Sequence, residues 1–448
     1  MNVDARILQD RLISRLREFE SAAGKPGRYV IAYSGGIDST VLLHALVSVR
    51  SAGTAPIIAI HVDHGLHPRS SQWEKACRAQ ARELGVDYRS HKVVVSRDAG
   101  GGLEAAAREA RYAILGSVMQ PGDWLLSAHH ETDQAETLLL NLLRGSSLTG
   151  LAGMGAIRKF SRGFLLRPLL GISGEAIREY AHANRLGWTD DPSNTDTAFD
   201  RNYLRQNVMP LLAARWPAAM ARLRQSADLA AEASELLAEL ADLDISDSPS
   251  SGKLDIDALS RLSAARQRNV IRRAVQRCGL PAPPASRLYQ AVHELLPAKE
   301  DAQPLVTWPG AEIRRYRKHL YILAPMAVGK TETAAILKPD SMLDLGIGQG
   351  KLSLEPVGKR AIESTLAQRG LELRYREGGE EITLPGRPHS RKLKKLLQEK
   401  GIVPWMRDRL PLLYDGDRLV AVADLWIAAE CIGENGFLPK WSEGPDLY

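Results

Sequence analysis

A short run of serine, glycine and aspartate, SGGIDST at residues 34–40, contains the residue types that bind phosphate. It follows an apolar, strand-like run and opens a segment with helical periodicity. The free backbone N–H groups of Gly35, Gly36, Ile37, Asp38 and Ser39 would then face one point, together with the positive end of the helix dipole. No lysine follows the glycines, so the segment is not a Walker A loop. The alternative is a tight turn with an aspartate that caps the helix.

A second segment, AHHETDQAET at residues 128–137, places two acids near the start of a predicted helix. The three-residue spacing of Asp133 and Glu136 puts both carboxylates on one helix face, directly after His129 and His130. The alternative is a capped helix start with acids favoured by the dipole. Capping explains one acid more readily than it explains two acids and a histidine pair.

A third segment carries positive charge near the C-terminus, and residues 390–398 are predicted to form a basic helix. Such a helix suits the phosphates of a polyanion, and the alternative is a solvated charged face. The net charge of +6 and the pI near 9.1 favour a polyanionic partner only weakly, because 53 acidic residues are also present. The cations in question are Arg387, Arg391, Lys392, Lys394, Lys395 and Lys400.

Predicted strands and helices alternate along the first two hundred residues, and they must position the residues described above. Strands are predicted at 29–33, 57–62, 92–95 and 124–127, and helices at 39–49, 72–84, 103–118 and 133–143. This alternation predicts an α/β fold, a Rossmann-like parallel sheet whose ligands bind beyond the carboxyl ends of the strands. Those ends carry polar residues: Ser34, Asp63 with His64, Ser96, and His129 with His130.

The rest of the chain changes character twice. Residues 218–243 predict a long helix, a second helical region runs to about residue 296, and residues 306–323 predict a closing strand pair. From about residue 331 short strands and turns dominate. We therefore expect a catalytic domain at 1–215, a mainly helical middle domain at 216–330 and a small α+β domain at 331–448.

Composition narrows the class of protein. Cys77, Cys278 and Cys431 are far apart and form no CxxC pair, so neither a disulfide framework nor a zinc knuckle is indicated. The first residues include two aspartates and no apolar block, so no secretory signal is expected. No run approaches the length of a membrane span. These features predict a cytoplasmic protein without a membrane partner.

The motifs together resemble a known family. SGGIDS resembles the signature of the ATP pyrophosphatase loop superfamily. HVDHGL, EAAAREARY, AHHETDQAET, LLRGSSLTGLAGM and DPSNTDTAFDRNYLR resemble the tRNA(Ile)-lysidine synthetase family and cover most of residues 30–205. RYREGGEEI and RKLKKLLQEKGIVPWMRDRLPLL resemble that family's terminal domain, whereas the middle region matches only in general character.

The resemblance implies a ligase that uses ATP and Mg²⁺. It would adenylate the oxygen on C2 of the wobble cytidine in an isoleucine tRNA with a CAU anticodon. Free L-lysine would then displace AMP to form lysidine, so that the tRNA reads AUA. A homodimer is among the oligomeric states that the sequence leaves open.

The resemblance also implies roles for individual residues. Asp38 is a candidate for the magnesium shell or for holding the loop, and Asp133 and Glu136 for lysine recognition. Arg144 and Arg205 are candidates for phosphate or the adenylated intermediate. Nucleotide-binding candidates are Ser34, Gly35, Gly36, Ile37, Asp38, Ser39, His61, Asp63 and His129. Candidates for tRNA binding are Arg205, Arg387, Arg391, Lys392, Lys394 and Lys395.

Three alternatives remain for the function. A tRNA thiolase would typically need a cysteine pair or an iron–sulfur cluster, which Cys77, Cys278 and Cys431 do not indicate. An amidotransferase would need an ammonia-generating domain with a nucleophilic cysteine, and none is evident. A non-catalytic tRNA-binding protein would not need the loop together with Asp133 and Glu136.

Overall fold

The computed structural model describes residues 3–51, 53–65, 68–93, 103–189, 192, 196–245, 252–299, 302–325, 335–346, 348–358 and 360–444. The side chains of residues 3–5 and 103–105 are not included in this description. The chain divides into two compact units, residues 1–240 and 241–448, and each is described by itself.

The first unit contains a six-stranded sheet with the order β3-β2-β1-β4-β6-β5, in which only β5 runs antiparallel to its neighbour. Its strands are β1 Tyr29–Ala32, β2 Ile57–Asp63, β3 Asp87–Lys92, β4 Trp124–Leu126, β5 Ile157–Phe160 and β6 Gly163–Leu166. The helices are α1 Val3–Ala23, α2 Ile37–Ser48, α3 Ser70–Glu83, α4 Leu103–Val118, α5 Glu131–Leu143, α6 Leu148–Leu151, α7 Gly174–Ala183, α8 Asp200–Tyr203, α9 Met209–Arg215 and α10 Ala219–Asp244, with a π-helical turn Leu204–Val208 before α9.

Helices cover both faces of this sheet, which is why its central strands are apolar throughout. On one face Ile31, Trp124 and Leu126 pack with residues of α1, α2 and α7. On the other face Val30 and Leu125 pack with α4. The carboxyl ends of β1, β2, β4 and β6 therefore meet at one edge of the sheet, and the loops that follow them lie there.

The expected parallel α/β sheet is confirmed, but the third strand was placed wrongly. It spans Asp87–Lys92 rather than residues 92–95. Its sequence, DYRSHK, lacks an apolar run because β3 is an edge strand whose side chains are at least partly exposed. Ser96, expected at the end of that strand, lies outside the described residues.

The second unit begins with a helical region that also carries a sheet of order β7-β10-β9-β8. The expected strand pair is present as β9 and β10, and two further strands extend it. The elements are β7 Lys253–Asp255, α11 Ile256–Ser260, α12 Ala264–Arg277, α13 Ala285–Gln290, a π-helical turn Ala291–Leu295, β8 Leu305–Trp308, β9 Ala311–Tyr316 and β10 His319–Leu323.

The remainder of the second unit is α+β, as expected. Two five-stranded sheets, β11-β15-β18-β19-β20 and β12-β13-β22-β14-β21, accompany the pair β16–β17. The strands are β11 Ile336–Leu337, β12 Met342–Asp344, β13 Lys351–Val357, β14 Ala361–Glu363, β15 Leu371–Arg374, β16 Glu381–Ile382, β17 Arg391–Lys392, β18 Leu412–Asp415, β19 Arg418–Val422, β20 Trp426–Ile427, β21 Ile432–Gly433 and β22 Gly436–Ser442. The helices are α14 Ser364–Arg369, α15 Leu393–Glu399 and α16 Pro404–Arg407, with a 3₁₀ turn Ala429–Cys431.

The basic segment differs from its predicted form. Arg391 and Lys392 belong to a short strand that pairs with β16, and the helix begins only at Leu393. The apolar Leu393, Leu396 and Leu397 are buried, which fixes the helical period from that residue onward. The predicted domain boundaries at 215 and 330 stay predictions.

In the part of the chain that the structure describes, no helix combines the length and the apolar character that crossing a membrane requires.

Candidate active site

The loop between β1 and α2 is packed so closely that its first glycine cannot be replaced without movement. Gly35 has φ of 83°, and a Cβ atom there would lie 2.5 Å from Sγ of the buried Cys77. The carbonyl of Gly35 accepts a hydrogen bond of 2.9 Å from the backbone N–H of Thr189. The backbone is therefore held from both sides in a conformation that favours glycine.

Hydrogen bonds within the loop fix its serines. Oγ of Ser34 lies 3.1 Å from Oγ of Ser39 and accepts from the N–H of Gly36 at 3.3 Å. Oγ of Ser39 donates to the carbonyl of Gly36 at 3.0 Å. Gly36 is the N-cap of α2 and supplies no side-chain cap, so the N–H groups of the first turn have no partner within the helix. Asp38 lies inside that turn and is not the cap, so the geometry is that of an anion-binding helix start.

Two acids and two arginines form a cluster at the start of α5. Nε and Nη2 of Arg205 bind the two oxygens of Glu136 at 2.6 and 2.9 Å, and Nε of Arg201 lies 2.8 Å from Oε2. Oδ1 of Asp133 accepts from Nη2 of Arg201 at 2.9 Å and from Nη2 of Arg205 at 3.0 Å. The Glu136 side chain has no exposed surface. Four charges are thus paired in one network.

His130 and Asp38 join this network to the loop. The ring of His130 caps α5 by accepting from Thr132, while Oδ2 of Asp133 accepts from the N–H of His130 at 3.0 Å. Nε2 of His130 lies 3.6 Å from Asp38 and 3.6 Å from Asp133. The capping alternative thus accounts for one oxygen of Asp133, and it accounts for none of the contacts of Glu136.

Burial and the surrounding charges together shift the pKa values of these groups, in directions that differ from one group to the next. Burial alone would raise the pKa of Asp133, but His130, Arg201 and His129 outweigh it and lower the pKa to about 2. Burial raises the pKa of Asp38, and the charge of Asp133 adds to the rise. Burial lowers the pKa of His129, and nearby arginines add to the effect. Asp133 is therefore ionised, and His129 is neutral, at physiological pH.

The other predicted nucleotide-binding residues lie at the carboxyl ends of β2 and β4. His61 is buried, and its Nδ1 lies 3.0 Å from the carbonyl of Tyr33, to which it must donate. Oδ1 of Asp63 accepts from the N–H of Gly65 at 2.8 Å. Nδ1 of His129 contacts Oγ of Ser127. His61 and Asp63 thus have identified local contacts that stabilise the strand ends.

The predicted arginines and lysines have unlike surroundings. Arg144 pairs with Asp200 at 3.1 Å, and both side chains are largely exposed. In the second unit Arg391 pairs with Glu399 at 2.5 Å. Lys392, Lys394 and Lys395 are exposed, and among the described residues none of their side chains forms a hydrogen bond or an ion pair. Arg387 is also exposed.

Sequence reasoning missed Arg201. Arg205 is among the predicted residues, and the four-residue spacing of Arg201 and Arg205 would place both on one helix face. The three-residue spacing of Asp133 and Glu136 likewise places two acids on one face of another helix. That match between a basic and an acidic helix face was the available signal. No group of three or more His, Cys, Asp or Glu residues suited to a metal ion occurs among the described residues.

The arrangement can bind an anion at the loop and can hold a further charged group beside Asp38 and Asp133. These are the features of a nucleotide-binding domain of the PP-loop class, and residues 8–212 match the family model of the PP-loop domain. Residues 254–321 match a model described as the TilS substrate binding domain, and residues 371–437 match the TilS substrate C-terminal domain.

Curated relatives extend these matches over most of the chain. A tRNA(Ile)-lysidine synthase of Alkalilimnicola ehrlichii is 44% identical over 429 residues, which cover 94% of this chain and 95% of the relative. The enzymes of the same name from Xanthomonas campestris and Coxiella burnetii are 41% and 38% identical, covering 91% and 96% of this chain and 93% and 94% of the relatives. The chain belongs to the tRNA(Ile)-lysidine synthase family.

The low pKa of Asp133 makes its contribution to stability depend on pH. Its folded-state pKa of about 2 lies below the ordinary value of 3.8, so the contribution is complete above about pH 4 and is lost as the pH falls towards 2. We expect Asp133→Asn to lower the free energy of unfolding by about 2 kcal/mol at pH 7. Urea unfolding of the full chain at pH 7, 5, 4 and 3 should show this difference shrinking with acidity.

Asp200→Asn is the matched control, because it removes the same charge from an exposed pair. Its effect should stay within about 0.5 kcal/mol at every pH. A loss for Asp133→Asn that is equally large at pH 3 and pH 7 would contradict the electrostatic origin.

Proposed function

We propose that this chain ligates free L-lysine to C2 of the wobble cytidine in the CAU anticodon of isoleucine tRNA, forming lysidine so that the tRNA reads AUA. ATP is consumed and AMP and pyrophosphate are released. The observation that carries this proposal is the anion-binding loop 34–39, which lies beside the Asp133–Glu136–Arg201–Arg205 network in a chain of this family.

The reaction proceeds in two transfers. The C2 oxygen of the cytidine attacks the α-phosphorus of ATP, and pyrophosphate leaves with the electrons of the broken P–O bond. The lysine ε-amine then attacks C2, and the C2–O bond breaks to release AMP. The amine attacks only when neutral, and deprotonating it at pH 7 costs about 4.6 kcal/mol, so a group that accepts its proton is required.

The loop residues Ser34, Gly35, Gly36, Ile37, Asp38 and Ser39 are proposed to bind the phosphates of ATP, with His61, Asp63 and His129 bordering the nucleotide. Asp38 also fits Mg²⁺, which is usually bound by one or two carboxylates together with substrate phosphates. Its side chain is 42% exposed, and its one ion-pair contact among the described residues is with His130 at 3.6 Å. When bound, the ion would neutralise phosphate charge.

Asp133 and Glu136 are proposed to serve lysine recognition in different ways. Glu136 is fully buried and binds both arginines, so it acts by positioning them. The arginines bind Oδ1 of Asp133, whereas its Oδ2 lies 3.6 Å from Nε2 of His130, which is also 3.6 Å from Asp38. Direct contact with lysine is therefore assigned to Asp133. The Arg205 side chain is 40% exposed and can still meet a phosphate of the tRNA or of the adenylated intermediate.

We further propose that the tRNA is held by cations of the terminal domain. Four of these cations are exposed, namely Arg387, Lys392, Lys394 and Lys395. Lys392 precedes the first residue of α15, and Lys394 and Lys395 lie in its first turn. We also propose that residues 1–215 form the catalytic domain, residues 216–330 a middle domain and residues 331–448 the terminal domain that binds tRNA. The enzyme would act in the cytoplasm, where its tRNA, ATP and lysine occur.

Incorporation of labelled lysine into tRNA tests the function directly. The full chain, ATP, Mg²⁺ and a CAU isoleucine tRNA transcript should give labelled tRNA, and omission of ATP should abolish it. Asp38→Asn should lower both pyrophosphate release and incorporation by at least tenfold, because the loop loses its ionised carboxylate. Lysine-independent thiolation, or no labelling of any tRNA, would refute the proposal.

Partial reactions separate the roles of the two acids. Asp133→Asn should raise the KM for lysine roughly ten- to a hundredfold, the equivalent of a charge-assisted contact of about 1.5–3 kcal/mol, while pyrophosphate release with tRNA continues. Glu136→Gln should slow both steps, since it releases Arg205. Glu179→Gln, which alters an exposed acid in α7, is the control. A normal lysine KM combined with failed pyrophosphate release in Asp133→Asn would move Asp133 to the ATP site.

The terminal-domain lysines predict a change in salt dependence. Replacing Lys392, Lys394 and Lys395 by Gln should weaken tRNA binding and reduce the log–log salt slope by roughly 0.7–0.9 per lost contact. The control replaces Lys351 and Lys440, which are each paired with a glutamate. Filter binding between about 50 and 200 mM salt measures the slope, and an unchanged slope would make the segment a solvated charged face.

A further inference from the structure

The imidazole ring of His130, the N-cap residue of α5, is held on two sides. Its Nδ1 accepts a hydrogen bond of 3.2 Å from the backbone N–H of Thr132. A Cβ atom built on Gly174 would lie 3.3 Å from Cε1 of the ring, so the backbone at the start of α7 passes close to the ring. Only 10% of the His130 side chain is exposed. The ring is therefore a fixed part of the site.

The cap contact determines which nitrogen of the His130 ring carries the proton. A ring nitrogen that accepts a bond from a backbone N–H has no proton of its own, so the neutral ring is protonated at Nε2. Nε2 is thus an N–H donor, and it has no lone pair for a further proton. His130 therefore does not take up the proton that the lysine ammonium group must lose.

Two carboxylates lie at the same distance from this donor. Oδ1 of Asp38 and Oδ2 of Asp133 are each 3.6 Å from Nε2 of His130, so the two oxygens are no farther apart than twice that distance. A separation of 3.6 Å is longer than a hydrogen bond, and the N–H is bonded to neither acid here. Burial raises the pKa of Asp38, and the charge of Asp133 adds to the rise. A donor between the two acids reduces their repulsion.

The two carboxylates differ in their other support. Oδ1 of Asp133 accepts from both Arg201 and Arg205, and its Oδ2 accepts from the backbone N–H of His130. The Asp38 carboxylate accepts no hydrogen bond from the residues that the structure describes, and its one ion-pair contact among them is with His130. The orientation of Asp38 therefore depends on the His130 ring.

We propose that His130 is a positioning residue whose single Nε2–H is shared by Asp38 and Asp133. The inference rests on the function proposed above, in which Asp38 serves the phosphates and Asp133 serves lysine. Contacts of this kind are often long in an unliganded enzyme and shorten when substrates bind. Loss of the Nε2–H should therefore impair the ATP step and the lysine step together, whereas Asp133→Asn impairs only the second.

His130→Asn separates this role from helix capping. Asparagine is among the best N-cap residues, so its side chain can replace Nδ1 as the acceptor for Thr132, but it is too short to supply a donor at the position of Nε2. We expect a native melting temperature, slower pyrophosphate release and a higher KM for lysine. Each kinetic change should be roughly tenfold, as is typical when one hydrogen bond to a charged group is lost.

His182→Asn, which alters an exposed histidine of α7, is the control and should change neither step. His130→Ala removes both the cap and the donor, so it should slow both steps and also lower the melting temperature. Native kinetics in His130→Asn beside slow kinetics in His130→Ala would show that the ring only caps α5 and would overturn the proposal. An effect of His130→Asn on only one of the two steps would overturn the shared role as well.

Nitrogen NMR of the ring tests the donor without any reaction. In the full chain with isotope-labelled histidine, the signals lost in His130→Asn identify the His130 ring. They should show a protonated Nε2 and an unprotonated Nδ1. The Nε2 signal should move in both Asp38→Asn and Asp133→Asn, but not in Glu179→Gln, which alters an exposed acid of α7. A proton on Nδ1, or an Nε2 signal that is unchanged in both aspartate variants, would overturn the proposal. A chain with the expected signals that incorporates no lysine would refute only the proposed function.

Discussion

The buried pairing of Asp133 and Glu136 with Arg201 and Arg205 is the interaction on which the site depends. Burying the carboxylate of Glu136 away from water costs free energy. The guanidinium groups of Arg201 and Arg205 offset that cost, because both donate hydrogen bonds to its oxygens. The pairing also fixes geometry, because it holds the segment of residues 200–205 against the start of α5. Four charged side chains thus hold these two elements together at the sheet edge.

The loop 34–39 depends on packing rather than on charge. Cys77 occupies the space where a side chain at position 35 would lie, and the serine hydroxyls bind one another and the loop backbone. A rigid loop presents its N–H groups without an ordering cost at the moment of binding. The sequence indicated neither a disulfide nor a zinc site for Cys77, and the structure gives it a packing role. Burial raises the pKa of its thiol to about 12, so it is not a reactive thiolate.

The sequence predicted the elements of the first unit well where apolar periodicity is strong. Apolar runs such as YVIA and IIAIHVD predict the buried strands, here β1 and β2, and a similar run predicts β4. The helices between these strands follow from helical periodicity. It failed at β3, where an edge strand needs no apolar run, and at Lys392, where pairing with β16 replaces a helical turn. The residues of a segment do not by themselves identify its pairing partner, because that partner lies outside the segment.

The sequence predicted which kinds of residue form the site, but it did not predict which of them pair with one another. The spacing of Asp133 and Glu136 indicated one helix face, yet only the fold shows that Arg201 and Arg205, more than sixty residues later, meet that face. A cluster of arginines around Tyr112 was still harder to foresee, since its arginines come from α4, β5 and the end of β6. One edge of the sheet therefore carries two kinds of positive charge. Near α5 carboxylates pair with Arg201 and Arg205, whereas Arg158 and Arg167 form no ion pair with a carboxylate among the described residues, so the potential at this edge is more positive beside those two arginines.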